Sequence, residues 1–190
     1  MTGAFITVVG PSGAGKDSVL EYARNHFAAS GRKPLFVTRT ITRPVSAGEE
    51  HTPVSEEEFS LAHARGEFAT SWQAHGLRYG IPTRYAGAVQ AGAVVIGNVS
   101  RAVLHELPQR FAPVRVVRIT VSDDVRRARL AARGREDAGD AAARVIRPDP
   151  APDYPVDLEI VNDSTLEAAG NTFVAFLDEL LRNDPTDSRS

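Results

Sequence analysis

The stretch Ala4-Phe5-Ile6-Thr7-Val8-Val9-Gly10-Pro11-Ser12-Gly13-Ala14-Gly15-Lys16-Asp17-Ser18 decides the fold. Its first six residues are apolar and rich in β-formers, the composition of a short buried strand. Gly10-x-x-x-x-Gly15-Lys16 then has the spacing of a Walker A phosphate loop. Its glycines let the backbone turn tightly, so that several N–H groups face one concavity. Val19, Leu20, Tyr22, Ala23 and Phe27 follow at helical spacing, and the pattern stops before Gly31. The N-terminus of that helix favours anions, and Lys16 adds a cation for the β- and γ-phosphates. Gly10, Pro11, Ser12, Gly13, Ala14, Gly15, Lys16, Asp17 and Ser18 are therefore the candidate ATP-binding residues.

One residue departs from the pattern. A Walker A lysine is followed by Ser or Thr, whose hydroxyl meets Mg²⁺; here Asp17 stands there, with Ser18 next. A carboxylate is a hard ligand for Mg²⁺, directly or through water. It also stabilises a helix N-terminus without any metal. Both readings of Asp17 stay open, and it is the one candidate metal ligand.

Further along, short strands alternate with helical patterns, which predicts an α/β fold with a parallel sheet. Leu35-Phe36-Val37 reads as a strand, and about Thr38 to Pro53 as a long functional loop. Ser55-Glu56-Glu57-Glu58 is a capping box before a helix with Phe59, Leu61 and Ala62. Phe68 to Ile81 reads as irregular strands turning at Gly76 and Gly80, and Pro82 as the first residue of a short helix. Ala93-Val94-Val95-Ile96 suits a central parallel strand. Val114 to Val121 is another strand, despite Arg115 and Arg118, and Ser122-Asp123-Asp124 caps a helix to about Ala132. Arg133 to Asp153 reads as mobile, and Leu158 to Val161 as the last strand. Ser164-Thr165-Leu166-Glu167 caps a helix with Phe173, Phe176, Leu177 and Leu180 on one face. The polar tail 183–190 is expected to be disordered.

Composition narrows the function. The chain has 190 residues, 42% hydrophobic and 24% charged, which suits one soluble domain. A net charge of -2 argues against non-specific nucleic-acid binding. The absence of cysteine excludes disulfides, thiolate catalysis and cysteine zinc sites. No apolar run approaches the roughly 20 residues of a membrane span, and no secretory signal is visible, so a cytoplasmic protein is expected. Only Lys16 and Lys33 are lysines among 22 basic residues; arginine-favouring base composition explains the bias but not the place of Lys16.

Several motifs carry a resemblance. Gly10 to Lys16, Thr42-Arg43-Pro44 with Gly48-Glu49, Glu58-Phe59, Gly66-Glu67-Phe68, Gly76-x-x-Tyr79-Gly80, Arg129-Leu130-x-x-Arg133-Gly134 and Val161-Asn162-Asp163 resemble guanylate kinases in order and spacing. The resemblance covers roughly Phe5 to Leu181. It implies a P-loop NTPase of the nucleoside-monophosphate-kinase-like type: a three-layer sandwich with a central parallel sheet, an acceptor-binding insertion and a lid. The single domain would span 1–182, with the acceptor region at about 38–92 and the lid at about 133–150.

The acceptor region departs from guanylate kinases. Ser46 stands where that family has a second Arg, Thr70 where it has the guanine-reading Glu, and Arg78 where it has the first Tyr of Tyr-Tyr-Gly. The segment after Gly48-Glu49 shortens to about Glu50-His51-Thr52-Pro53, and Asp-x-Asp becomes Gly97-Asn98-Val99-Ser100-Arg101. Base readout is lost and arginine gained, which points to an acceptor with more phosphate and no base. With Lys16-Asp17-Ser18, Ile41-Thr42-Arg43, Ser71-Trp72, Gly76-Leu77-x-Tyr79-Gly80, Asn98-x-Ser100-Arg101 and Arg133-Gly134-Arg135-Glu136, the chain resembles the ribose 1,5-bisphosphate phosphokinase family of phosphonate breakdown.

That resemblance implies conversion of ribose 1,5-bisphosphate and ATP into 5-phosphoribosyl 1-diphosphate (PRPP) and ADP, with Mg²⁺. Lys16, Arg133, Arg135 and Arg144 would be catalytic. Arg39, Arg43, Arg78, Tyr79, Asn98, Ser100 and Arg101 would bind the acceptor. The partners expected are small molecules, ATP and ribose 1,5-bisphosphate, with no nucleic acid and no membrane; the oligomeric state stays open, a homodimer included. Arg126, Arg127 and Arg129 are expected on a solvated helix face, and His51 and His75 on the surface. Trp72 is open between packing and substrate contact, Asn162 and Asp163 between a helix cap and the adenine border. The competing functions are a guanylate or other nucleoside-monophosphate kinase, and a non-catalytic interaction domain on the same fold. The second typically lacks the loop lysine and lid arginines, which are present here.

Overall fold

The computed structural model describes residues 3–30, 34–44, 50–132 and 151–182. Ser46, residues 133–150 with the expected lid and its Arg133, Arg135 and Arg144, and the tail 183–190 lie outside the described residues. The elements in order are β1 (Ala4–Val9), α1 (Lys16–Ser30), β2 (Leu35–Phe36), β3 (Arg39–Ile41), β4 (His51–Pro53), α2 (Glu56–Ala64) and β5 (Phe68–Ala74). β6 (Leu77–Pro82), α3 (Arg84–Gln90), β7 (Val94–Asn98), β8 (Val114–Thr120), α4 (Asp123–Ala132), β9 (Leu158–Val161) and α5 (Leu166–Arg182) complete them. Two short 3-10 turns, Arg101–Val103 and Leu107–Gln109, follow β7.

A five-stranded parallel sheet in the order β2-β7-β1-β8-β9 forms the middle layer. β1 is its centre, and its alternating side chains serve two cores. Ile6 and Val8 face Val19, Ala23 and Phe27 of α1 and Phe173 and Leu177 of α5. Phe5 and Val9 face Tyr85 and Val89 of α3 with Leu104, Leu107 and Phe111. Phe5 and Phe111 stack with centroids 4.1 Å apart. This is the three-layer sandwich expected. The strand order reverses around β1, and in such sheets ligands gather at the carboxyl ends of the strands at that point. No helix among the described residues is long and apolar enough to cross a membrane.

A second, four-stranded sheet runs β4-β3-β6-β5. The expected loop from Thr38 to Pro53 in fact holds β3 and β4. Each is three residues long and pairs with a strand remote in sequence or across Pro44, so neither shows a period of its own. β5 and β6 form a hairpin whose two-residue turn, His75 and Gly76, has φ of 54° and 70°. Such turns match the twist of the strands. Gly80 is not a turn. It lies inside β6 under Phe68, whose ring atoms would stand 2.6 Å from a Cβ there. Pro82 closes β6, and α3 begins at Arg84. The Ser55–Glu58 capping box forms as read: Ser55 Oγ accepts from Glu58 N at 3.1 Å, and a Glu58 carboxylate oxygen accepts from Ser55 N at 2.7 Å. Those bonds hold the Glu58 carboxyl below its ordinary value.

The end of the expected mobile segment is pinned. Ala151 is buried in the second core, and Arg118 of β8 donates to the carbonyls of Ala151, Pro152 and Tyr154 at 3.3 to 3.4 Å. His51 is buried rather than on the surface, its Nε2 3.0 Å from the Arg43 carbonyl oxygen. His75 is exposed, as read.

Candidate active site

The loop after β1 turns on Gly10, Gly13 and Gly15, with φ of 150°, 84° and 86°. A Cβ at Gly10 would run into the Ile119 carbonyl of β8, so only glycine fits there. Two carbonyls of the loop accept from side chains of distant elements: Arg126 Nε donates to Ser12 O at 2.9 Å, and Asn162 Nδ2 to Ala14 O at 2.8 Å. Within a planar peptide the N–H points opposite to the C=O. These two anchors therefore aim the Gly13 and Gly15 amides away from Arg126 and Asn162. Lys16 Nζ folds back onto its own loop, donating to Gly10 O and Pro11 O at 2.9 Å each.

Arg126 is not on a solvated face. It is 7% exposed and reaches from α4 to the loop. Burial is the main force lowering its pKa; the Asp123 carboxylate opposes this, and the Arg101 cation adds to it. Arg129, one turn on, stands beside Gly15. Its Nη1 is buried and lacks a hydrogen-bond partner among the described residues, as does Asn162 Oδ1. Asn162 thus buttresses the loop and does not cap a helix. Asp163 accepts from Ser122 N at 2.7 Å, ahead of α4. Thr165 caps α5 through Ala168 N at 3.2 Å.

Asp17 opens α1 and faces the second sheet. Its Oδ1 accepts from Asn98 Nδ2 at 2.8 Å and lies 3.9 Å from Arg39 Nη2. Arg39 Nη1 reaches the Asn98 carbonyl oxygen at 3.5 Å. The guanidinium also lies over the Tyr79 ring, 5.6 Å from its centroid. Tyr79 in turn stacks on Trp72 with centroids 5.4 Å apart and planes 2° from parallel. Asp17, Arg39 and Asn98 line one cleft of about 820 Å³. Glu50, just before β4, and Arg24 of α1 share its wall, joined at 3.0 Å.

The remaining candidates are placed differently. Arg78 turns to the opposite face of the second sheet. It donates to Ser60 Oγ at 2.6 Å, approaches Glu56 at 3.8 Å and covers the Phe59 ring at 4.4 Å. Neighbours on one strand face opposite ways, so Arg78 lies away from the face on which Tyr79 meets Arg39. Arg43 and Arg101 do not line the cleft that holds Arg39. Ser100 Oγ accepts from Ala102 N at 3.3 Å. Thr70 Oγ1 is buried with no partner among the described residues. Trp72 both packs on the second core and joins the Tyr79–Arg39 stack. The sequence reading missed Arg126 and Glu50. A basic residue packed under a glycine loop carries no local signal, and Glu50 is marked only by its distant partner Arg24.

No family model matches the chain. A ribose 1,5-bisphosphate phosphokinase PhnN of Pseudofrankia inefficax is 52% identical over 180 residues, covering 95% of this chain and 90% of that protein. A protein of the same name from Acidiphilium cryptum is 44% identical over 178 residues, 93% of each. Among solved structures, a guanylate kinase from Anaplasma phagocytophilum superposes with a TM-score of 0.62 at 20% identity, covering 94% of this chain and 86% of that one. That likeness shows the fold.

Proposed function

This chain belongs to the ribose 1,5-bisphosphate phosphokinase family and is a kinase, and on that premise we propose that it transfers the γ-phosphoryl group of ATP to the 1-phosphate of ribose 1,5-bisphosphate, giving PRPP and ADP. The observation that carries the reading is the placement of Arg39. It is fixed beside the phosphate loop on a face whose base-reading position holds the uncharged Thr70.

ATP phosphates would lie on the side that the Gly13 and Gly15 amides face. Lys16 would exchange the Gly10 and Pro11 carbonyls for phosphate oxygens. Arg129 Nη1 and Asn162 Oδ1, a buried donor and acceptor with no described partner, are candidate contacts for the nucleotide. Among the described residues no cluster of three or more acidic or histidine side chains could hold a metal. Mg²⁺ shared with phosphates keeps few protein ligands. Asp17 and Ser18 are the hard oxygen donors at hand. When bound, the ion would neutralise charge between the β- and γ-phosphates.

The nucleophile is an oxygen of the 1-phosphate, ionised at pH 7. It attacks the γ-phosphorus as the bond to the β-bridging oxygen breaks, and ADP leaves. This chemistry requires positioning and charge neutralisation, not a base. Arg39 and Asn98 would hold the acceptor, with Arg43, Ser100 and Arg101 at its margin. Arg133, Arg135 and Arg144, from the family resemblance, would close over the transferring group.

The test is ADP release with Mg²⁺-ATP and either ribose 1,5-bisphosphate or GMP at matched concentration, with the product identified by mass. Each buried ring donor of GMP left unpaired beside Thr70 costs about 1–3 kcal/mol. The bisphosphate is therefore expected to lead by at least about 100-fold in kcat/KM. A lead for GMP makes the enzyme a divergent guanylate kinase. No ADP with either, from folded protein that binds ATP, removes both acceptor assignments and calls for another acceptor. Lys16→Ala should abolish turnover and keep the fold; near-normal turnover would defeat the phosphate-loop assignment.

A further inference from the structure

We propose that Asp17 is a positioning residue for the acceptor: with Asn98 it sets the plane of the Arg39 guanidinium that meets an acceptor phosphate. The inference rests on the acceptor site assigned above. A carboxylate after the loop lysine brings negative charge between two phosphate-bearing ligands, which is unfavourable unless a cation answers it. Arg39 answers it, and from the acceptor side, at 3.9 Å.

The three residues close a ring. The Asn98 amide donates to Asp17 Oδ1 at 2.8 Å, the Asn98 carbonyl accepts from Arg39 Nη1 at 3.5 Å, and Arg39 Nη2 returns to Asp17. Asn98 is the last residue of β7 and 8% exposed, so its amide is held by burial. The face of the guanidinium is fixed too, by Tyr79 resting on Trp72. An arginine fork held at two edges and one face loses little further rotamer freedom when a phosphate arrives. The ring thus converts an unusual loop residue into acceptor affinity.

The sign of one substitution separates this role from the alternatives. A carboxylate that serves only a metal or the helix dipole repels an anionic acceptor. Removing its charge would then leave metal-free acceptor binding unchanged or tighter. A positioning role predicts weaker binding. Trp72, the single tryptophan, stands in the stack and reports occupancy by its emission. Ribose 1,5-bisphosphate would be titrated in EDTA, with ADP saturating the phosphate loop.

Asp17→Asn is expected to bind the acceptor about tenfold more weakly than wild type. Asn98→Asp, which sets carboxylate against carboxylate, should lose at least as much. The double variant Asp17→Asn with Asn98→Asp restores an amide–carboxylate bond with donor and acceptor exchanged. It should return to within about threefold of wild type. Unchanged or tighter binding by Asp17→Asn, or no recovery in the double variant, overturns the proposal. Thermal melts separate lost ligand from lost fold, and the double variant carries the test if a single one does not fold. If wild-type Trp72 ignores ribose 1,5-bisphosphate but answers inorganic phosphate, the acceptor assignment fails and the same variants, titrated with phosphate, decide the positioning role. No response to either anion removes both.

Discussion

Arg39 and Arg78 stand on opposite faces of one four-stranded sheet, so their removal should fail in different ways. Arg39→Ala is expected to raise the acceptor KM about tenfold or more and leave the ATP KM within about threefold. Arg78→Ala loses the Ser60 hydrogen bond and the cover over Phe59. It should lower stability by about 1–2 kcal/mol in urea unfolding and leave the acceptor KM nearly unchanged. A large acceptor KM for Arg78→Ala would put that side chain back in the site. Arg126→Lys keeps the charge and drops the Nε donor aimed at Ser12 O. Lysine does not replace arginine at a directed, buried contact, and steady-state kinetics should show a higher ATP KM. The glycine loop's shape was legible because its signals are local: glycines, a lysine and a helix start in sequence. Arg78 falls on the other face because β6 is regular across Gly80, so parity separates it from Tyr79; a motif position carries no face. Arg126 could not be read at all, since what buries it is a loop 114 residues away.

At the level of elements, β1, β7, β9 and the capped helices α2 and α5 announce themselves through apolar runs and caps. β3 and β4 do not, because a three-residue strand is defined by its neighbours. Charge along β8 also has a tertiary reason. Arg118 and Arg115 lie three residues apart on that strand but do different things. Arg118 ties down the chain where it re-enters the core at Ala151 to Tyr154. Arg115 forms a half-exposed pair with Asp157 at 3.0 Å. Arg118→Met should therefore destabilise by about 1.5–3 kcal/mol, and Arg115→Met by less than about 1 kcal/mol. Paired urea melts check the order, and equal losses would dismiss the clamp.

Over the whole molecule, the same central strand β1 separates two cores and delivers the phosphate loop at its carboxyl end, while the second sheet brings Arg39 to meet it. The fold was legible in advance because it follows from one continuous stretch; the cleft that holds Arg39 was less so, because β3 and β7 assemble it across the chain. Lys16, folded onto the carbonyls of its own loop, has a practical corollary. Lysine occurs at two places in 190 residues, Lys16 and Lys33. Amine acylation followed by mass spectrometry thus becomes an occupancy gauge that needs no mutation or label. Bound ATP should shield Lys16 from acetic anhydride, with Lys33 as the internal standard for reagent dose. Equal modification of Lys16 with and without saturating ATP would mean that the amine never engages the nucleotide.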